Sequence, residues 1–214
     1  MYDLPYFKAL DGEALALMRE YPFAMLIGSN GVPSATQLPF MVHEEAGKTV
    51  LYGHIMRETT HHQCFEQNPE ALVVFTGPNA YVSASWYKNP KQGSTWNYLS
   101  VQVRGKVRFM DDADLPALLE ETTARFEEAN SPAGFEQLSP AYVQALIPYI
   151  VGIAIEVETV NTVFKLSQNK GIHDYNSIIQ RLQQGDAAAQ SIAAIMEQRK
   201  HLVFSGKQET IQQA

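Results

Sequence analysis

Val101-Gln-Val-Arg-Gly-Lys-Val-Arg-Phe109 (VQVRGKVRF) alternates without interruption, with Val101, Val103, Gly105, Val107 and Phe109 on one side and Gln102, Arg104, Lys106 and Arg108 on the other. Side chains of a β-strand point to opposite faces with a period of two, so this stretch is a strand with one face in a core and one basic, polar face. Further apolar runs of strand length lie on both sides of it. Residues 23–29 (FAMLIGS) and 34–42 (SATQLPFMV) flank Asn30-Gly31, a pair that supplies the positive φ angles of a tight hairpin turn. A strand is expected at 49–55 (TVLYGHI) after the Glu-Glu-Ala-Gly turn. Two more are expected at 70–77 (EALVVFTG) and 79–85 (NAYVSAS), divided by Gly77-Pro78, and a last one at 151–168.

Helical patterns fall between and after these strands. Asp11 is placed to cap a short helix that turns Leu15 and Met18 inward and stops at Pro22. Residues 59–68 (TTHHQCFEQN) form a helix opened by a threonine cap and closed before Pro69. Others are expected at 112–128 and 140–149, with a pair at 175–184 and 187–199 split at Gly185-Asp186. Six or seven closely spaced strands with inserted helices predict a mainly β fold, an antiparallel barrel decorated by peripheral helices, more than a doubly wound parallel sheet. The expected organisation is a barrel domain over 1–170, a helical appendage over 171–200 and a polar tail over 201–214.

Composition narrows the function classes. With 45% hydrophobic and 18% charged residues the 214-residue chain is globular, not disordered. No apolar run reaches the ~20 positions of a membrane-spanning helix, and the start MYDLPYFKAL lacks a signal-peptide pattern, so a cytoplasmic protein is expected. A net charge of −7 opposes phosphate backbones, and direct DNA binding is not expected. Cys64 is the only cysteine, which excludes an internal disulfide and a multi-thiolate metal site. The six histidines show no metal-ligand spacing, and no Gly-x-Ser-x-Gly elbow supports hydrolysis.

Three places could carry chemistry. Residues 53–62, Gly-His-Ile-Met-Arg-Glu-Thr-Thr-His-His, join a strand end to a helix start. Unpaired backbone N–H groups and a partial positive charge there, with Arg57, Thr60, His61 and His62 around them, outline an anion site. A capped surface helix with two solvated histidines is the other reading. Tyr81, Trp86, Tyr87, Trp96 and Tyr98 cluster around the polar loop 86–97 and could stack on a planar ring or on each other. At the last strand's end, Phe164-Lys-Leu-Ser-Gln-Asn169 gathers a cation, a hydroxyl and two amides, and Lys165 and Gln168 join the cofactor-binding candidates.

The segments LYGHI (51–55), GPNAYVSASWY (77–87), STWNY (94–98) and FKLSQNK (164–170), in this order, resemble the PaiB family of FMN-binding negative transcriptional regulators. The resemblance runs from Met1 to about Lys200. It implies the FMN-binding split barrel shared with pyridoxamine phosphate oxidases and flavin-reductase-like proteins, a homodimer, and a flavin mononucleotide at each subunit boundary. Carried over by position, it implies that Thr36, Gln37, Leu38 and Pro39 lie along the isoalloxazine and ribityl chain, that Gly53, His54 and Ile55 continue that wall, and that Arg57, Thr60, His61 and His62 surround the phosphate. His61 and His62 stand where the oxidases carry arginine and lysine. The functions implied are a flavin-dependent sensor or regulator, a flavin-dependent oxidoreductase acting on a small substrate, or a haem-handling relative. The helix AAAQSIAAIMEQ lacks the basic first turns of a DNA-reading helix.

Overall fold

Why the chain folds into strands that curl is visible where two of them nearly touch. The computed structural model describes residues 4–205. Its elements in chain order are α1 (Glu13–Glu20), β1 (Phe23–Asn30), β2 (Val32–Pro39), β3 (Met41–Glu45), β4 (Lys48–Met56), α2 (Thr60–Gln67), β5 (Glu70–Val82) and β6 (Thr95–Phe109). These are followed by α3 (Leu115–Phe126), α4 (Pro140–Leu146), β7 (Ile150–Lys165), α5 (Ile172–Leu182) and α6 (Ala187–Ser205). The strands form one seven-stranded sheet in the order β2-β1-β5-β6-β7-β4-β3. Its curl brings β2, first in that order, against β4, sixth: a Cβ on Gly53 would lie 2.8 Å from Leu38 Cδ1 and 3.2 Å from the Pro39 carbonyl oxygen. Only a residue without a side chain admits that approach. The antiparallel split barrel expected from the sequence is the observed fold.

The chain divides into two compact units. The larger comprises Gly12–Phe75 and Val101–Asn161. Its core is Leu26, Phe40, Leu51, Val73, Phe75, Val101, Val103, Ile153 and Ile155, all but sealed from solvent. The alternation of VQVRGKVRF holds along β6, with Val101, Val103 and Val107 buried and Arg104, Lys106 and Arg108 exposed. Gly105 is the tightest point of this unit, since a Cβ there would sit 2.1 Å from the Glu156 carbonyl oxygen of β7. A satellite core of Leu115, Ile147 and Ile150, with Leu119 against it, anchors α3.

The smaller unit gathers the residues up to Asp11, Thr76–Ser100, and those from Thr162 onward. Here α5 packs on α6 through Tyr175, Ile178, Leu182, Ile192, Ala193 and Met196. The Tyr175 hydroxyl donates to the Met196 carbonyl at 2.9 Å, and burial pushes its pKa up to about 12. Asn97, fully buried, accepts from the Ser167 hydroxyl at 2.9 Å and donates to Met196 Sδ at 3.4 Å. Asp186 caps α6 by accepting from the Ala189 N–H. The polar tail expected over 201–214 lies, from residue 206 on, outside the described residues.

Four local expectations are corrected. The run 34–42 is two strands, because after Phe40, whose N–H still bonds the Pro22 carbonyl at 2.9 Å in the β1–β2 register, the chain changes partner and β3 pairs with β4. Gly77-Pro78 does not divide β5. The β1 ladder along β5 stops at Val74, so Pro78 lies beyond the residues that β1 pairs. Asp11 caps nothing; Gly12, with φ of 80°, occupies the N-cap of α1, and Leu17 and Met18 carry its burial. In the Asn30-Gly31 hairpin only Gly31 has a positive φ.

Candidate functional site

The turn from β4 into α2 is built by three local interactions. Thr59 is the N-cap: its hydroxyl oxygen accepts from the His62 N–H at 3.2 Å and its O–H donates to the Met56 carbonyl at 3.0 Å. Glu58 takes a left-handed φ of 60°, a conformation with a cost for a residue bearing a Cβ. It is held by its N–H, which donates to His62 Nδ1 at 3.1 Å. An imidazole nitrogen that accepts carries no proton, so the neutral His62 ring bears its hydrogen on Nε2, 3.8 Å from Glu66 Oε1. The cap accounts for the His62 N–H, while the Thr60 and His61 N–H groups at the first two helical positions have no intrahelical acceptor.

Beside this helix start lies a groove of about 300 Å³ lined by Ser34, Ala35 and Thr36 of β2, Ile55 and Met56 of β4, and Thr59, Thr60 and His61. His61 Nδ1 is hydrogen-bonded to Thr36 Oγ1 at 2.7 Å, and its ring packs on Phe65 at 4.7 Å. Burial holds its pKa below the ordinary imidazole value, so the ring is neutral at neutral pH. His61 Nε2 is enclosed and has no hydrogen-bond partner. A buried nitrogen left in this way marks a place that another group completes.

The structure brings some sequence-selected residues together and sets others apart. Thr36, Ile55, Thr60 and His61 meet in the groove, with Leu38, Pro39 and Gly53 in mutual contact on the same pair of strands. Gln37 and His54 point to the opposite faces of β2 and β4, as period two requires. His54, half-buried, also has its pKa lowered by burial. Arg57 is committed locally. Its Nε and Nη2 donate to the Ile150 carbonyl at 3.1 and 2.7 Å, and Nη2 pairs with Asp112 at 2.7 Å.

His61 and His62 are both buried, not solvated, and His62 packs its edge on Phe109. Lys165 and Gln168 belong to the smaller unit. There Lys165 Nζ donates to Thr95 Oγ1 and the Trp96 carbonyl, and the Gln168 amide bonds the Leu166 N–H and the Phe164 carbonyl. Ser34 and Met56, also in the groove wall, were not singled out by sequence reasoning; no motif marks them, and only the β2–β4 closure brings them there.

A curled antiparallel sheet with a groove at the start of α2 is the split-barrel architecture, and the comparisons with known proteins fall on the same class. Residues 1–159 match the family model described as "Putative FMN-binding domain". The chain is 31% identical over 203 residues to "Protease synthase and sporulation protein PAI 2" of Bacillus subtilis, covering 93% of this chain and 98% of that protein. Among solved structures, the flavocytochrome Anf3 of Azotobacter vinelandii superposes with a TM-score of 0.59 at 17% identity, over 82% of this chain and 78% of that one. The FAD and heme binding protein of Mycobacterium smegmatis superposes with a TM-score of 0.55 at 18% identity, over 74% and 73%. This chain belongs to the PaiB-like family of FMN-binding split-barrel proteins.

Proposed function

We propose that the protein is a flavin-dependent sensor or regulator that holds the FMN phosphate in the groove between β2 and the start of α2. The observation that carries this reading is the meeting, along one cavity, of the helix-start N–H groups of Thr60 and His61, the hydroxyls of Ser34, Thr36 and Thr60, and the His61 ring whose Nε2 has no partner. Such a donor set suits a dianion, and the helix start adds partial positive charge without side-chain entropy. Thr36 to Pro39 then run along the ribityl chain and ring, with Gly53 and Ile55 behind them. Arg57 sits at the same turn, holding the Ile150 carbonyl and Asp112 while adding its charge to the local field. Bound FMN supplies reversible redox chemistry; the chain's own groups bind it, orient it and exclude water.

The active species is proposed to be a cytoplasmic homodimer. Phe23 and Met25 are exposed on β1, and Met25 stands directly opposite Val74 of β5, leaving an apolar outer strip suited to a two-fold contact. Among the described residues no helix is long and apolar enough to cross a membrane. With a net charge of −7, regulation is proposed to act without direct DNA contact.

Fluorescence titration of apoprotein with FMN and with riboflavin tests the phosphate placement. FMN should bind at least about tenfold more tightly, the worth of one or two charge-assisted hydrogen bonds. Equal affinities would remove the phosphate from this groove. A monomeric mass by light scattering would remove the dimer, and catalytic consumption of NAD(P)H would move the reading to an oxidoreductase.

A further inference from the structure

His62 is buried at the start of α2, 8% exposed, and neither it nor Glu58 is among the residues that line the groove. It grips the turn between β4 and α2 at two points. Its N–H donates to Thr59 Oγ1 at 3.2 Å, and its Nδ1 accepts from the Glu58 N–H at 3.1 Å. The residues on either side of Glu58 are fixed by other bonds: the Arg57 N–H donates to the Tyr149 carbonyl at 2.8 Å, and the Thr59 hydroxyl donates to the Met56 carbonyl at 3.0 Å. The change of direction from strand to helix therefore falls on Glu58. Its φ of 60° is the left-handed conformation that a residue bearing a Cβ avoids and that glycine takes freely. The bond to His62 Nδ1 opposes that cost.

The acceptor is itself held in place. The His62 ring meets the Phe109 ring of β6 edge to face, with centroids 5.1 Å apart and planes inclined by 76°. Its Nε2, which bears the hydrogen of the neutral ring, lies 3.8 Å from Glu66 Oε1 one helical turn on. Fixed from β6 and from its own helix, the ring keeps Nδ1 on the turn.

Resting on the placement of the FMN phosphate at the start of α2, we propose that His62 is a positioning residue for that phosphate. By holding Glu58 in the left-handed conformation it sets the direction in which the Thr60 and His61 N–H groups leave the helix start, and it does not itself touch the flavin. The turn asks this residue for an acceptor at Nδ1, not for a positive charge. Without that acceptor Glu58 relaxes toward negative φ, and the first turn of α2 swings away from β2.

Fluorescence titration of the whole chain with FMN and with riboflavin reads the phosphate's share of binding as the ratio of the two affinities. His62→Phe keeps an aromatic ring for Phe109 and removes the acceptor, so the ratio should fall about tenfold while riboflavin affinity stays. His62→Asn, whose amide oxygen can stand near the place of Nδ1, should keep the ratio. Adding Glu58→Gly to His62→Phe should restore it, because glycine needs no help to turn left-handed. A packing role for His62 would not answer to a change at Glu58. With His62 intact, Glu58→Val should lower the ratio about fivefold and Glu58→Gly should not; both lose the carboxylate, so the loss of charge cancels between them. An undiminished ratio in His62→Phe, or no recovery on adding Glu58→Gly, overturns the role. Should His62→Phe fail to fold, equal ratios in Glu58→Val and Glu58→Gly overturn it. Equal FMN and riboflavin affinities in the parent would remove the phosphate from the groove and this role with it, a failure read before any variant is made.

Discussion

Thr36 Oγ1 and His61 Nδ1 lie 2.7 Å apart, joining the second strand of the barrel to the first turn of α2 beside the groove that both residues line. This bond satisfies one nitrogen of a buried neutral ring whose other nitrogen has no partner within the chain. Replacing Thr36 by valine keeps the shape and removes the partner. The unfolding free energy should fall by about 1–3 kcal/mol, the cost of a buried polar group left unpaired, and FMN affinity should fall with it. Urea unfolding and FMN titration of the variant check both, and an unchanged urea midpoint would show that the bond is idle.

Acid should destabilise the protein through His54 and His61. Burial lowers both folded-state pKa values from the ordinary 6.5, so the unfolded chain takes up protons first as pH falls. Stability from these rings is complete above about pH 6.5, the unfolded value. It declines below that until the folded rings protonate too. Urea midpoints measured from pH 7.5 down to 5 should show the decline, and His61→Gln should make it shallower. A profile equally steep in that variant would assign the effect to other groups.

Two glycines should respond oppositely to a methyl group. Gly105→Ala drives a Cβ to 2.1 Å from the Glu156 carbonyl oxygen, so strands β6 and β7 must separate, at a cost of about 2–4 kcal/mol. Gly93 has nothing within 4 Å of such an atom, and Gly93→Ala should stay within about 0.5 kcal/mol of the parent. Thermal melts of the two variants side by side decide the matter.

Arg57 and Asp112 should prove unequal partners. Arg57→Met strips two hydrogen bonds from the Ile150 carbonyl and should cost about 1–3 kcal/mol. Asp112→Asn leaves those bonds in place and loses only a solvent-screened pairing, at a cost below about 1 kcal/mol. Equal losses in the two variants would make the ion pair, not the carbonyl bonds, the anchor of this turn.

The barrel was legible in the sequence because its signals are local. Period-two alternation marks β6, and Asn-Gly marks the first hairpin, although one positive φ sufficed there. The threonine cap of α2 was also readable, since a cap bonds to its own helix. What the sequence did not disclose depends on distant partners. The run breaks at Phe40 because β2 pairs with β1 while β3 pairs with β4, and nothing in the surrounding residues announces that change of partner. The burial of His61 follows from α2 packing on β1 and β2, and that of His62 from its contact with Phe109 of β6. A polar helix face read alone looks solvated, and an imidazole expected to bring charge to the groove is kept neutral there by the protein around it. The groove's remaining wall, Ser34, Ala35 and Met56, exists only through barrel closure.

Tyr175 turns the union of α5 and α6 into its own reporter. A phenol in water ionises near pH 10, yet this one is held to about 12 while its hydroxyl grips the Met196 carbonyl. Between those values the ring is silent for as long as the two helices stay paired. Parting them at such a pH would free the proton, so the part of the ultraviolet phenolate band that a Tyr175→Phe protein lacks reads helix separation without a dye or an added label.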